Sequence, residues 1–269
     1  MRRFLAPLLI LHCVCGPATS DPARLDRLTL RDDLLGWEAV GRLDFAQGGF
    51  CTGVLIAPTH VLTAAHCLDD ARVRGDVRAL SFRAGLSDGK AVAEAGAARA
   101  VLHPDYSAVA GVTAANIAAD VALVELVRPI PAGIADPFRV APPPQAGASV
   151  SLVSYGADRA EAPSRQATCA VLDRAPGLVA FDCAVTHGSS GAPVFDMSSA
   201  RARIVSLISS GGAGVAFGMD LPKAVATLRR ALATGDGVFP KREVTPRRLT
   251  PGDRGRGGTG AKFLRPPGS

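Results

Sequence analysis

Between residues 37 and 238 the chain repeats one pattern: a short apolar run, then a break rich in Gly, Pro, Asp or Asn. The runs at 39–43, 53–56, 61–64, 121–127, 150–154, 192–195 and 204–209 have lengths and flanking turn residues that suit strands of an all-β sandwich or barrel. The longest internal apolar stretch, 204–219, is broken by Ser206, Ser209, Ser210, Gly211, Gly212 and Gly214. It predicts strand, turn, strand, not the roughly 18–20 unbroken apolar residues of a membrane-spanning helix. One segment follows a different period. Leu221, Val225, Leu228 and Leu232 recur at helical spacing, Pro222 stands at the first turn and Gly235 follows the end, which predicts a helix over 222–234. Its apolar stripe is expected to pack on the second of two lobes, because Pro142-Pro143-Pro144 and Gly147 divide the β pattern near its middle.

Composition agrees with a globular chain: 269 residues, 48% of them apolar and 20% charged. Collagen-like, low-complexity and coiled-coil classes are excluded. The net charge of +6 invites a nucleic-acid reading, but its distribution removes it. Residues 1–20 hold +2 and residues 240–269 hold +6, which leaves 21–239 at −2. The folded body has no basic surplus with which to follow a phosphate backbone, so no nucleic-acid partner is expected. After Phe239 the chain turns to Pro, Gly and Arg with almost no apolar content, and 239–269 is expected to be a disordered basic tail. That tail could touch an anionic envelope surface electrostatically.

The first 20 residues have a positive start at Arg2 and Arg3, an apolar stretch of about a dozen residues, and Ala18 and Ser20 placed for a cut before Asp21. This is the layout of a signal peptide and predicts a secreted or periplasmic protein. Residues 21–36 then form an N-terminal extension or short pro-segment. Cleavage removes Cys13 and Cys15 and leaves Cys51, Cys67, Cys169 and Cys183. An even count in an exported chain points to disulfides. Of the three pairings, Cys51–Cys67 with Cys169–Cys183 is preferred, because each pair falls within one local segment. A four-cysteine zinc site would want C-x₂₋₄-C spacing, which is absent, so no metal is expected.

Three short stretches carry chemistry: Cys51 to Cys67, ending in Leu62-Thr63-Ala64-Ala65-His66-Cys67; Asp120 to Leu126, beginning Asp120-Val121-Ala122-Leu123; and His187 to Val194, which contains Gly188-Ser189-Ser190-Gly191-Ala192-Pro193. Singly, each has a plain alternative. His66 would be a core histidine, Ser190 a turn serine and Asp120 a strand-capping acid, with Asp105 and Asp136 as rival acids. Together and in this order they resemble the trypsin-like (chymotrypsin-fold) serine proteases over about residues 37–238. The resemblance is to the bacterial secreted branch that includes the glutamyl endopeptidases. It implies two packed six-stranded antiparallel β-barrels with a C-terminal helix, and a serine endopeptidase that works through an acyl-enzyme without a cofactor.

The resemblance also assigns roles. Ser190 would be the nucleophile, His66 its base, and Asp120 the group that orients and stabilises the imidazole. Backbone N–H groups of Gly188 and Ser190 would form the oxyanion hole. Ala184 would form the base of the P1 pocket, beside His187, and Ser209, Ser210 and Gly211 would bind substrate backbone. The partner is a protein or peptide substrate, and the chain is expected to be monomeric. A small or apolar P1 residue is expected, since no acid stands at Ala184 and Ile208 lies near the position where the glutamyl enzymes place a histidine. Ser189 departs from the family pattern: digestive members have an aspartate there that receives a new N-terminal ammonium on activation. A pocket competent without that switch is therefore expected. Two other readings remain, a catalytically weak protease-like binding or adhesion module and an esterase on the same scaffold. His60 and His103 are expected to be structural.

Overall fold

The computed structural model describes residues 24–69, 73 and 76–240. The expected signal peptide, residues 1–20, and the expected tail beyond residue 240 lie outside the described residues. A three-residue strand β1 (Leu25–Arg27) and a helical turn α1 (Arg31–Leu34) come first. Six strands then close the first barrel: β2 (Val40–Phe45), β3 (Phe50–Ala57), β4 (His60–Thr63), β5 (Leu80–Ala84), β6 (Ala93–Leu102) and β7 (Ala122–Leu126). Their cyclic order is β2-β3-β4-β7-β6-β5, antiparallel throughout. Closure leaves no free edge, and the inward residues Leu43, Val54, Leu62, Phe82 and Leu123 are fully buried.

Between β6 and β7 the chain makes a short helix, α2 (Ala114–Ala119), whose N-terminus is capped by Thr113 accepting from the Asn116 N–H. The connection to the second lobe contains β8 (Arg139–Val140) and the proline run. Six strands follow: β9 (Ser149–Ser154), β10 (Ser164–Ala175), β11 (Leu178–Phe181), β12 (Pro193–Asp196), β13 (Arg203–Gly212) and β14 (Val215–Met219). They pair in the order β9-β10-β11-β14-β13-β12 and close through β12–β9, giving the second antiparallel six-stranded barrel. β8 adds to β13 in parallel, and β1 adds to β10.

The segment 24–36 is bound into the fold. Leu28 and Leu34 are buried, the Leu28 N–H donates to the Pro163 carbonyl at 2.8 Å, and the Ser87 hydroxyl donates to the Thr29 carbonyl at 3.0 Å. The C-terminal helix α3 (Leu221–Thr234) has Pro at its first turn and Gly235 in the left-handed conformation at its end, as its sequence predicts. Its placement corrects the expectation. Its buried face, Leu221, Val225, Leu228 and Leu232, lies mainly on β6 and β7 of the first barrel, with a smaller contact to β13. The physical reason is anchorage at and just beyond its C-terminal end: Arg99 of β6 donates to the Leu232 carbonyl at 3.1 Å, and Phe239 pairs with Ala100 of the same strand.

Both nearest-neighbour disulfides are present, Cys51–Cys67 and Cys169–Cys183. No helix among the described residues is long and apolar enough to cross a membrane.

Candidate active site

The pairing of β4 with β7 sets Thr63 opposite Ala122. His66, three residues past Thr63, and Asp120, two residues before Ala122, therefore emerge at the same end of the first barrel. There the His66 Nδ1–H points at Asp120 Oδ2, 2.7 Å away, and the His66 backbone N–H donates to Asp120 Oδ1 at 2.8 Å. A third donor comes from the other barrel, where the Ser209 hydroxyl on β13 donates to Asp120 Oδ2 at 2.6 Å. Asp120 is 4% exposed, so these three bonds satisfy a carboxylate that water hardly reaches. A carboxylate on the Nδ1 side fixes the tautomer, and the other ring nitrogen is left as the acceptor. The His66 side chain is 38% exposed, open enough to meet a substrate.

The loop 188–191 is wedged between the barrels. The Thr52 N–H donates to the Ser190 carbonyl at 2.9 Å, and the Gly191 N–H donates to the Ile208 carbonyl at 2.7 Å. Gly191 has φ +76, and a Cβ there would fall 2.4 Å from both the Thr52 carbonyl oxygen and Thr63 Oγ1. Only glycine permits this approach to the strand that leads to His66. A Cβ on Gly188, at φ +90, would fall 2.5 Å from Cε2 of Phe50, whose ring carries the Arg42 guanidinium 5.2 Å from its centroid. The Gly188 carbonyl accepts from Thr52 Oγ1 at 2.8 Å. Among the described residues nothing accepts from the Gly188 and Ser190 N–H groups, and Ser190 Oγ makes no hydrogen bond.

Ser189 is fully buried. Its hydroxyl donates to the Tyr155 carbonyl at 3.2 Å and accepts from the Thr186 N–H at 3.3 Å, and its N–H donates to the Thr186 carbonyl at 2.9 Å. Tyr155 is itself buried and donates its hydroxyl to the Leu86 carbonyl at 2.9 Å. That burial pushes the phenol far above its ordinary ionisation range. Where an aspartate would need a cation, the neutral serine is fully satisfied by backbone groups.

A groove of about 370 Å³ opens beside Ser190 and brings together His187, Ser209, Ser210 and Gly211 of the sequence-predicted binding residues. Ala184 is not among the lining residues; its N–H is turned away to Gln166 Oε1 at 2.7 Å. Instead the lining includes Val185, Thr186 and Ile208. The sequence carried no signal for the first two beyond their nearness to Ala184. Phe50 and Tyr155, which help hold the loop, also lie outside any motif, and Thr52 lies in the first stretch but far from its histidine end. His60 and His103 stand apart from the groove lining, and burial lowers the pKa of each. Among the described residues one group of metal-type ligands clusters, Cys51, His66 and Cys67, but its two sulfurs are bonded to each other and cannot act as thiolate ligands.

A family described as the trypsin-like peptidase domain matches residues 51–202. Among solved structures, a Glu endopeptidase in complex with MPD superposes with a TM-score of 0.63 at 18% identity, over 77% of this chain and 97% of that one. A scabies mite inactivated protease paralogue superposes with a TM-score of 0.62 at 13% identity, over 80% of this chain and 97% of that one. At these identities the structural likeness is one of fold.

Proposed function

The chain belongs to the family of trypsin-like peptidases, and on that premise we propose that it is a serine endopeptidase with Ser190 as nucleophile, His66 as general base and Asp120 as the group that holds the imidazole. One observation carries this reading. A buried carboxylate with three donors grips an imidazole at 2.7 Å beside a groove lined by an unbonded serine, whose loop also carries the unpaired N–H groups of Gly188 and Ser190.

In the proposed reaction His66 Nε2 takes the Ser190 proton as Oγ bonds to the scissile carbonyl carbon. The carbonyl oxygen gains negative charge and is met by the Gly188 and Ser190 N–H groups. His66 returns the proton to the leaving amine, which breaks the C–N bond and leaves an ester on Ser190. Water, activated by the same imidazole, then hydrolyses that ester. Among the described residues Ser190 Oγ makes no hydrogen bond, and in the proposed reaction its bond to His66 forms as the substrate is seated.

Two disulfides support maturation in an oxidising compartment, consistent with the signal-like N-terminus and with a secreted or periplasmic location. The neutral bonding of Ser189 supports a loop ordered without an inserted N-terminus. The unbonded Ser190 hydroxyl also admits a second reading, a protease-like binding module. One experiment separates the two: labelling of purified protein with a fluorophosphonate, alongside peptide turnover. Wild type should be labelled and active. Ser190→Ala should lose labelling and about 10³-fold or more in turnover, with an unchanged melting temperature. Unlabelled, inactive wild type would leave the binding module standing.

A further inference from the structure

We infer that Val185 is the specificity-determining residue of this protein, closing the groove so that it takes only a small, uncharged side chain such as that of Ala or Ser beside the scissile bond. This rests on the reading of the groove as the substrate cleft.

The groove has two walls. One is the segment 185–187 that leads to Ser190, and the other is the run 208–211 of β13. A substrate side chain next to the attacked carbonyl has to enter between them. Gly211 lacks a side chain and would ordinarily leave that entrance open. Here the space is taken: a Cβ on Gly211 would fall 2.4 Å from Val185 Cγ2. The valine methyl thus rests against the glycine backbone, and the two walls touch at that point of the groove.

Val185 is not free to swing aside. Two residues earlier, Cys183 is joined to Cys169 of β10, and the Ala184 N–H is held by Gln166 Oε1 of the same strand. On the other side the Thr186 N–H is held by Ser189 Oγ. The side chain packs on the core of the second barrel, and a β-branched residue has few alternative rotamers. The chemistry of the lining points the same way. Thr186, Ser209 and Ser210 offer hydroxyls, Ser209 being already committed to Asp120, and His187 is exposed. Among the described residues no carboxylate, lysine or arginine lines the groove, so a charged substrate side chain would be buried without a partner there.

The test uses the full chain and peptidyl diphenyl phosphonates that differ only in the side chain next to phosphorus: Ala, Leu, Phe, Glu and Lys. Wild type should be inactivated by the Ala probe at least about 100-fold faster than by the Phe, Glu or Lys probes. Val185→Gly should shift the Phe-to-Ala ratio at least tenfold toward Phe. Should that variant fail to fold, Val185→Ala with the Leu-to-Ala ratio serves, and the wild-type order stands alone as a test. A wild type that favours Leu, Phe, Glu or Lys, or a folded variant with an unchanged ratio, overturns the inference. A fluorophosphonate without a recognition side chain is run in parallel. Labelling by it together with the wrong probe order refutes the closed pocket alone, whereas no labelling refutes the serine-peptidase reading and the pocket with it.

Discussion

Ser209→Ala removes the one donor to Asp120 that comes from the opposite barrel, a hydroxyl 2.6 Å from Oδ2. The carboxylate is 4% exposed, and its remaining donors are the two N–H groups of His66. Loss of one partner from a buried, satisfied acceptor costs about 1–3 kcal/mol. The transition state carries an imidazolium that this carboxylate must face, so the loss falls on the chemical step. At about 1.36 kcal/mol per tenfold, kcat/KM should drop between about 5- and 150-fold. Asp120→Asn should be far worse, about 10⁴-fold, because it also reverses the imidazole tautomer. The assay is kcat/KM on a peptide and on a small ester, with thermal melting alongside. Ser209 also lines the groove, so the ester is the control: an effect transmitted through Asp120 lowers both substrates alike. A folded Ser209→Ala protein within twofold of wild type on both, or one impaired on the peptide alone, would refute the reasoning.

Replacing Cys51 and Cys67 together by Ser releases a loop with a sequence separation of 16 and should lower stability by about 3 kcal/mol, read as a shift in the urea midpoint. An unchanged midpoint counts against a structural bond. Burial lowers the pKa of His60 and His103 below the ordinary 6.5. The unfolded chain therefore takes up protons first as pH falls through about 6.5, so stability declines in that window and levels off below the folded values. A His60→Gln, His103→Gln double variant should lose less stability than wild type between pH 7.5 and pH 5 in urea titrations; an equal loss would remove these histidines from the account.

The strands that carry the site were legible because their apolar runs are dense, as at Val61-Leu62 before His66 and Val121–Val124 after Asp120. Others were hidden for identifiable reasons. In β5 Leu80, Phe82 and Ala84 face inward while Ser81 and Arg83 alternate with them, so no two apolar residues adjoin. In β6 an alanine-rich sequence with a register shift between Ala97 and Arg99 breaks the period of two. The order of His66, Asp120 and Ser190 was readable because motifs are local. The groove was less so, because its two walls touch through Val185 and Gly211, 26 positions apart, which only the barrel's pairing brings together. For the same reason the helix 221–234 was assigned to the wrong neighbour: periodicity identifies an apolar face, while its seat depends on Arg99 and Ala100.

The wiring of Ser189 to Tyr155 and Thr186 has a practical consequence. An anchorage made from mid-chain carbonyl and amide groups is indifferent to where translation or trimming happens to begin the polypeptide. Fusions or tags placed ahead of Arg24 should leave the loop 188–191 in the same shape. The molecule would then carry no latch that a cut could spring, and restraint would have to come from outside, through an inhibitor seated in the groove or through rationing of what reaches it.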